Sequence, residues 1–182
     1  MKVSPRIAFA FFAAVVAAAA AAAVLAATGA SGATRSETSL PALDRSVLAA
    51  INRYRARHHL HPLRISSALD RSSKQHSLEM GADGYFAHPS ANGTAFWRRI
   101  ERYYPSQRSQ YWSVGENLLW ASPDVNARHA MRLWIASPEH KANLLAARWR
   151  QIGISAVHVV AAPGVFHGLD VTIVTTDFGV RR

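Results

Sequence analysis

Gln151-Ile152-Gly153-Ile154-Ser155-Ala156-Val157-His158-Val159-Val160, joined through Pro163-Gly164 to Leu169-Asp170-Val171-Thr172-Ile173-Val174-Thr175-Thr176-Asp177, is the stretch that decides the fold class. In its second half Val171, Ile173 and Thr175 alternate with Thr172, Val174 and Thr176, the two-residue period of a strand. The first half carries Ile152, Ile154, Ala156 and Val159. Two such runs around a Pro-Gly turn predict an antiparallel hairpin.

Upstream the apolar spacing changes to three and four. Leu43, Val47, Leu48, Ile51 and Tyr54 mark one face of a helix over 42–60, which His61-Pro62 ends, because the residue before proline leaves the helical region. A second helix is expected over 67–84, holding Leu69, Ser73, His76, Leu78 and Met80, with Ser66 or Ser67 as its cap. Residues 85–93 read as a loop, 94–104 as a third helix and 105–111 as a surface connection. Another helix over 124–136 turns Val125, Ala130, Leu133 and Trp134 inward. Ser137-Pro138-Glu139 then starts a further helix that runs to about Leu145: a serine cap, proline in the first position, an acid in the first turn. Periodicity alone does not assign residues 113–121. Helices followed by antiparallel strands predict an α+β domain over 42–182.

The first 33 residues have a different character. Lys2 and Arg6 precede an uncharged apolar run over 7–27, and small residues follow it. That order describes a secretory signal, with cleavage after Ala30 or Ala33. The run is also long enough for a retained membrane anchor. Either outcome carries the rest of the chain out of the cytoplasm, and the polar, small residues of 34–41 read as a linker. Membrane contact is expected only through this N-terminal segment.

No cysteine is present, which excludes a thiol nucleophile and thiolate zinc sites. The net charge is +10; setting aside Lys2 and Arg6, 19 basic side chains against 11 acidic ones still leave +8. Arg53, Arg55, Arg98, Arg99, Arg148 and Arg150 are scattered rather than interleaved with aromatics, so a nucleic-acid partner is not expected. An anionic cell surface and a plain solvated basic surface remain the two readings of the charge. His58, His59 and His61 cluster at the end of the first helix, where cations suit the helix dipole and metal capture is the rival reading.

Six short segments now fall in one order: Ile51-Asn52-Arg53-Tyr54-Arg55 with Gln75-His76-Ser77-Leu78-Glu79-Met80, Tyr85-Phe86-Ala87-His88, Val114-Gly115-Glu116-Asn117-Leu118, Trp134 with Ser137-Pro138-Glu139-His140, Asn143-Leu144-Leu145, and Thr175-Thr176-Asp177-Phe178-Gly179. In this order they resemble the bacterial branch of the CAP superfamily, the cysteine-rich secretory, antigen 5 and pathogenesis-related proteins. The resemblance covers Leu43 to Gly179. It implies a three-layer α-β-α sandwich around a central antiparallel sheet, with a cleft lined by two histidines and one or two acids.

Carried over residue by residue, those positions are His88, Glu116 and His140. His88 in a loop reads, on its own, equally as a surface hydrogen-bonding residue. His140 sits in the first turn of its helix, where the dipole favours the neutral imidazole that a metal requires; on its own it reads equally as decoration of that turn. Glu116 lies in apolar sequence, where a carboxylate needs a partner, whether a metal or a structural hydrogen bond. Asn143 shares a helix face with His140 and is a candidate cleft residue that could hydrogen-bond near the site, with a structural part as its first reading. The family's second glutamate falls at Ser137; Glu139 is the nearest acid, and favourable charge at a helix start explains it. Trp112 and Trp120 flank Glu116 as core or cleft residues.

Two histidines and one carboxylate, His88, His140 and Glu116, make a candidate site for zinc or another divalent metal. The leading expectation is a secreted, non-enzymatic binding module for a lipid or sterol, an envelope polymer or a protein. The rivals are a metal-dependent hydrolase using Glu116 as ligand or base, and a purely structural set. No His-Glu-x-x-His or Gly-x-Ser-x-Gly motif favours the hydrolase.

Overall fold

The computed structural model describes residues 36–106 and 109–182. The 7–27 segment, with its reading as signal or anchor, lies outside them. Among the described residues no helix is long and apolar enough to cross a membrane.

Five strands form one sheet: β1 (Glu37–Ser39), β2 (Arg64–Ile65), β3 (Trp112–Ala121), β4 (Gln151–Val159) and β5 (Val171–Arg181). Its order is β1-β4-β5-β3, with β2 added parallel to β4 and every other pairing antiparallel. The expected hairpin is β4–β5, in register from Gln151↔Gly179 to Val159↔Val171. Residues 113–121, undecided by periodicity, lie in β3, the edge strand beside β5. Glu37–Ser39, read as linker, instead pairs with Val157–Val159. Polarity misled there, since a short edge strand with exposed residues needs no apolar pattern.

The helices are α1 (Pro41–Arg57), α2 (Ser67–Asp83), α3 (Phe96–Tyr103), α4 (Ala127–Ala136) and α5 (Pro138–Leu145). Ser66 caps α2 and Ser137 caps α5. The pleat of β5 sorts the layers. Val174, Phe178 and Val180 join a core with Val47 and Ile51 of α1, Trp134 of α4 and Leu144 of α5. Ile173 packs on the other face with Met80 of α2, beside the smaller cluster of Leu69, Ile100 and Tyr104. Both faces of β5 are therefore covered, and all but its last residue are buried. This is the α-β-α sandwich.

Between β1 and β2 the outer edge of β4 has no strand partner, yet its amides are satisfied. Asp70 Oδ1 accepts from the Ile154 amide at 2.9 Å, and Asp44 Oδ1 from the Ala156 amide at 2.7 Å. Both aspartates stand in the first turn of their helices, so two helix starts complete a ladder that two short strands leave open.

Burial raises the Asp44 carboxyl to about 6, against the lowering effect of its bond to Ala156. A raised folded value means that the folded state binds the proton first, so Asp44 favours folding more as pH falls from 6 to 3.8. An asparagine side chain at this position keeps the acceptor without titrating. The stability of the wild type relative to Asp44→Asn should therefore rise by about 1–2 kcal/mol between pH 7 and pH 4. Urea denaturation at the two pH values measures it, and a constant difference is the failing result.

Candidate functional site

Gly115-Glu116-Asn117 spends three residues on two faces of the sheet. Gly115 faces α5: a β carbon there would stand 2.9 Å from the Trp149 ring and 3.0 Å from Asn143 Oδ1. That close approach lets Asn143 Nδ2 donate to the Glu116 carbonyl at 3.0 Å and to Asn117 Oδ1 at 2.9 Å, while Asn117 Nδ2 donates to the His140 carbonyl at 3.0 Å. Asn143 thus ties α5 to β3.

Glu116 points to the opposite side, under α2 and α3, with its carboxylate fully buried. Oε1 accepts from His88 Nδ1 at 2.7 Å, and Oε2 is paired with the Arg99 guanidinium. Arg99, itself 1 % exposed, also donates from Nη1 to the His88 carbonyl at 3.0 Å. One cation from α3 therefore holds both the carboxylate of β3 and the backbone of the loop that presents His88. Burial by itself would raise the Glu116 carboxyl; Arg99, His76 and His88 together outweigh it and hold the group at about 2. At neutral pH Glu116 is a pinned carboxylate.

Two further groups complete the cluster. His76 of α2 is fully buried, with Nε2 2.9 Å from the Ala87 carbonyl and 4.0 Å from Glu116 Oε2. A carbonyl only accepts, so Nε2 carries the proton, and Nδ1 faces the Tyr85 hydroxyl at 3.4 Å. Burial lowers its pKa against the pull of Glu116. Asp177 lies opposite Glu116 in the β3–β5 register and is also fully buried. Neither of its oxygens has a partner in good hydrogen-bonding geometry, although Ser72 and Glu116 are near enough to act on its ionisation. Burial first, and the Glu116 charge second, push its carboxyl well above the usual range. Of the two facing carboxyls it is the one whose neutral form burial favours.

His88 and His140 stand on different elements, near enough for the charge of one to act on the other. The His88 side chain is 29 % exposed and packs against Phe96, with ring centroids 6.0 Å apart. His140 is partly buried, and burial first, then the charge of His88, lowers its pKa. Burial thus favours the same neutral form that the helix dipole was expected to favour. Glu139 is exposed and accepts from the Ser137 hydroxyl at 3.1 Å, so it belongs to the helix start. Trp120 stacks edge-on against Phe166, and Trp112 Nε1 donates to the Tyr104 carbonyl at 2.9 Å.

The donor set does not fit a divalent metal in this arrangement. Among the described residues no three His, Asp or Glu side chains converge closely enough to hold one, and both Glu116 oxygens are already engaged, Oε1 by His88 and Oε2 by Arg99. A guanidinium and a divalent cation repel each other at one carboxylate.

A family model described as CAP, the cysteine-rich secretory protein family, matches residues 48–164, a span that includes α2, β3, α5 and the His88 loop. The chain belongs to the CAP family. Over 124 residues it is 26% identical to the uncharacterized protein YkwD of Bacillus subtilis (strain 168), covering 68% of this chain and 46% of that protein. The chain thus spans less than half the length of that curated relative. Among solved structures, an extracellular protein containing an SCP domain from Bacillus anthracis superposes with a TM-score of 0.59 at 23% identity, covering 78% of this chain and 41% of its own. An outer surface protein from Borrelia burgdorferi gives 0.64 at 20% identity, over 82% of this chain and 100% of its own. A cysteine-rich secretory protein from Staphylococcus aureus gives 0.53 at 16% identity, over 76% and 38%. At these identities the likeness is one of fold. Of the three expected residues, the structure joins His88 to Glu116, with Arg99 and His76 beside them, while His140 meets β3 through its backbone carbonyl.

Proposed function

We propose that this CAP domain works outside the cytoplasm as a non-catalytic binding module. In this reading Glu116 is the internal anchor of a rigid cleft floor, and His88 and His140 are the groups a ligand meets. The carrying observation is that both oxygens of the buried Glu116 carboxylate are engaged, one by His88 and one by Arg99. A carboxylate held at about 2 between those partners is a poor general base at neutral pH. The basic, then apolar, N-terminal 33 residues and the extracellular or outer-surface descriptions of two fold neighbours support export. The ligand class is an envelope polymer, a lipid or a protein on the outer face of a cell.

One observation favours hydrolysis as a second reading. The His88 Nδ1–Glu116 contact has the form in which a carboxylate orients a general base.

Co-sedimentation of the purified domain with isolated envelope sacculi and with phospholipid vesicles, followed by chromatography of the supernatant, separates the two. The binding reading predicts sedimentation with one of them, weakened in His88→Ala, and no released fragments. Soluble fragments produced by the wild type and absent with Glu116→Gln would overturn it.

A further inference from the structure

Three arginines far apart in the sequence come together in the fold. At one end of the sheet a cleft of about 550 Å³ is lined by His61, Pro62, Arg64, Arg150, Gln151 and Arg181. None of its lining residues is acidic, and none belongs to the His88–Glu116 cluster. Three strand ends bring them together. Arg64 opens β2 in register with Gln151 at the start of β4, and Gln151 is in register with Gly179, two residues before Arg181. The Arg64 amide donates to the Arg150 carbonyl at 3.0 Å, and the Arg150 amide to the Gly179 carbonyl at 3.2 Å.

The side chains of Arg150, Gln151 and Arg181 are also held. Arg181 lies over the Tyr104 ring, 4.3 Å from its centroid, and the Tyr104 hydroxyl donates to Gln151 Oε1 at 2.6 Å. With that oxygen engaged, Gln151 presents its amide N–H groups. Arg150 uses Nη1 on the carbonyls of Ala147 and Trp149. Among the described residues none of the three arginines has a carboxylate partner within 4.0 Å. Behind them the fully buried Arg55 donates from Nε to the His61 carbonyl, and its Nη2 has no partner.

Three guanidinium groups gathered without an acid repel one another, and an anion between them relieves that repulsion. Arginine forks match the tetrahedral oxygens of phosphate and can bind them two at a time. A phosphate fills a small part of such a cleft, whose volume lies in the range of small-molecule sites, so the remainder would accept an organic body. We propose that this cleft binds a phosphate-bearing ligand, clamped by Arg64, Arg150 and Arg181. The proposal does not rest on the reading of the His88 cleft.

Fluorescence-monitored titration of the full chain with glycerol phosphate, and flotation with vesicles of phosphatidylcholine with or without phosphatidylglycerol, test it at constant ionic strength. Saturable binding to either probe is expected, at least tenfold weaker in Arg64→Gln with Arg181→Gln. It should be unchanged in Arg128→Gln with Arg132→Gln, which removes equal charge from exposed positions on α4. A response to glycerol phosphate assigns a soluble ligand, and one confined to phosphatidylglycerol vesicles assigns a lipid headgroup. No saturable binding to either probe overturns the proposal, as does equal weakening by both charge-matched pairs. Because Arg181 packs on Tyr104, Arg64→Gln alone is the control for misfolding: weakened binding at an unchanged melting temperature is the expected result, and unchanged binding the overturning one.

Discussion

Methionine in place of Arg99 lowers the unfolding free energy by about 3–5 kcal/mol at pH 7, the cost of leaving one member of a buried ion pair alone. Glu116 would keep His88 but lose the cation that most offsets its burial. The effect has a defined pH dependence. Glu116 has a folded value of about 2 against an ordinary 4.5, so its stabilising share is complete above 4.5 and disappears as pH falls toward 2. The gap between wild type and Arg99→Met should therefore narrow on acidification across that window. Urea denaturation of Arg99→Met, Glu116→Leu and the double variant separates the pair from its parts. The double variant should recover part of the loss, since an apolar pair of similar volume avoids the stranded charge. Additive losses in the double variant would mean that the two residues do not act as a pair.

Alanine at Gly153 should cost about 3 kcal/mol or more, at the severe end of overpacking. A β carbon at that position runs into the backbone of Leu69 and Asp70 rather than into a side chain that can turn away. The helix start must then lift off β4, and with it the bond from the Ile154 amide to Asp70. Gly93→Ala is the contrasting substitution. Gly93 has φ +79°, and nothing stands within 4 Å of its missing β carbon. It should therefore lose only the roughly 1–2 kcal/mol of a left-handed residue. Equal melting temperatures for the two variants would contradict the close crossing of α2 over β4.

Gly153 also shows where the sequence stops being informative. The β4–β5 hairpin could be read from alternation, and the helix starts at Ser66 and Ser137 from capping chemistry, because both are local rules. The crossing of α2 on β4 joins residues more than eighty positions apart, and nothing near Gly153 announces it. The same division runs through the site. Glu116 could be singled out, since a carboxylate in apolar sequence demands a partner. The family pattern supplied His88 and His140, whereas the partner that decides the chemistry, Arg99, looked like one more surface arginine. One signal was available: Arg99 lies one turn from Phe96 and beside Ile100, on the buried side of a short helix. Asp177 closed an apolar strand and could have been flagged by the argument applied to Glu116. His76 recurs with Leu69, Ser73 and Met80 on the inward face of α2. The arginine cleft was out of reach, because it exists only once three strand ends are side by side.

The central proposal is that Glu116 is an internal anchor closed by Arg99 and His88, and that His88 and His140 serve binding without a resident metal. Isothermal titration of the purified wild type with zinc chloride at pH 7 tests it most directly. The account predicts no saturable one-site heat at micromolar concentrations that depends on His88 and His140. One zinc bound per chain with micromolar affinity, abolished by both His88→Ala and His140→Ala, would contradict it.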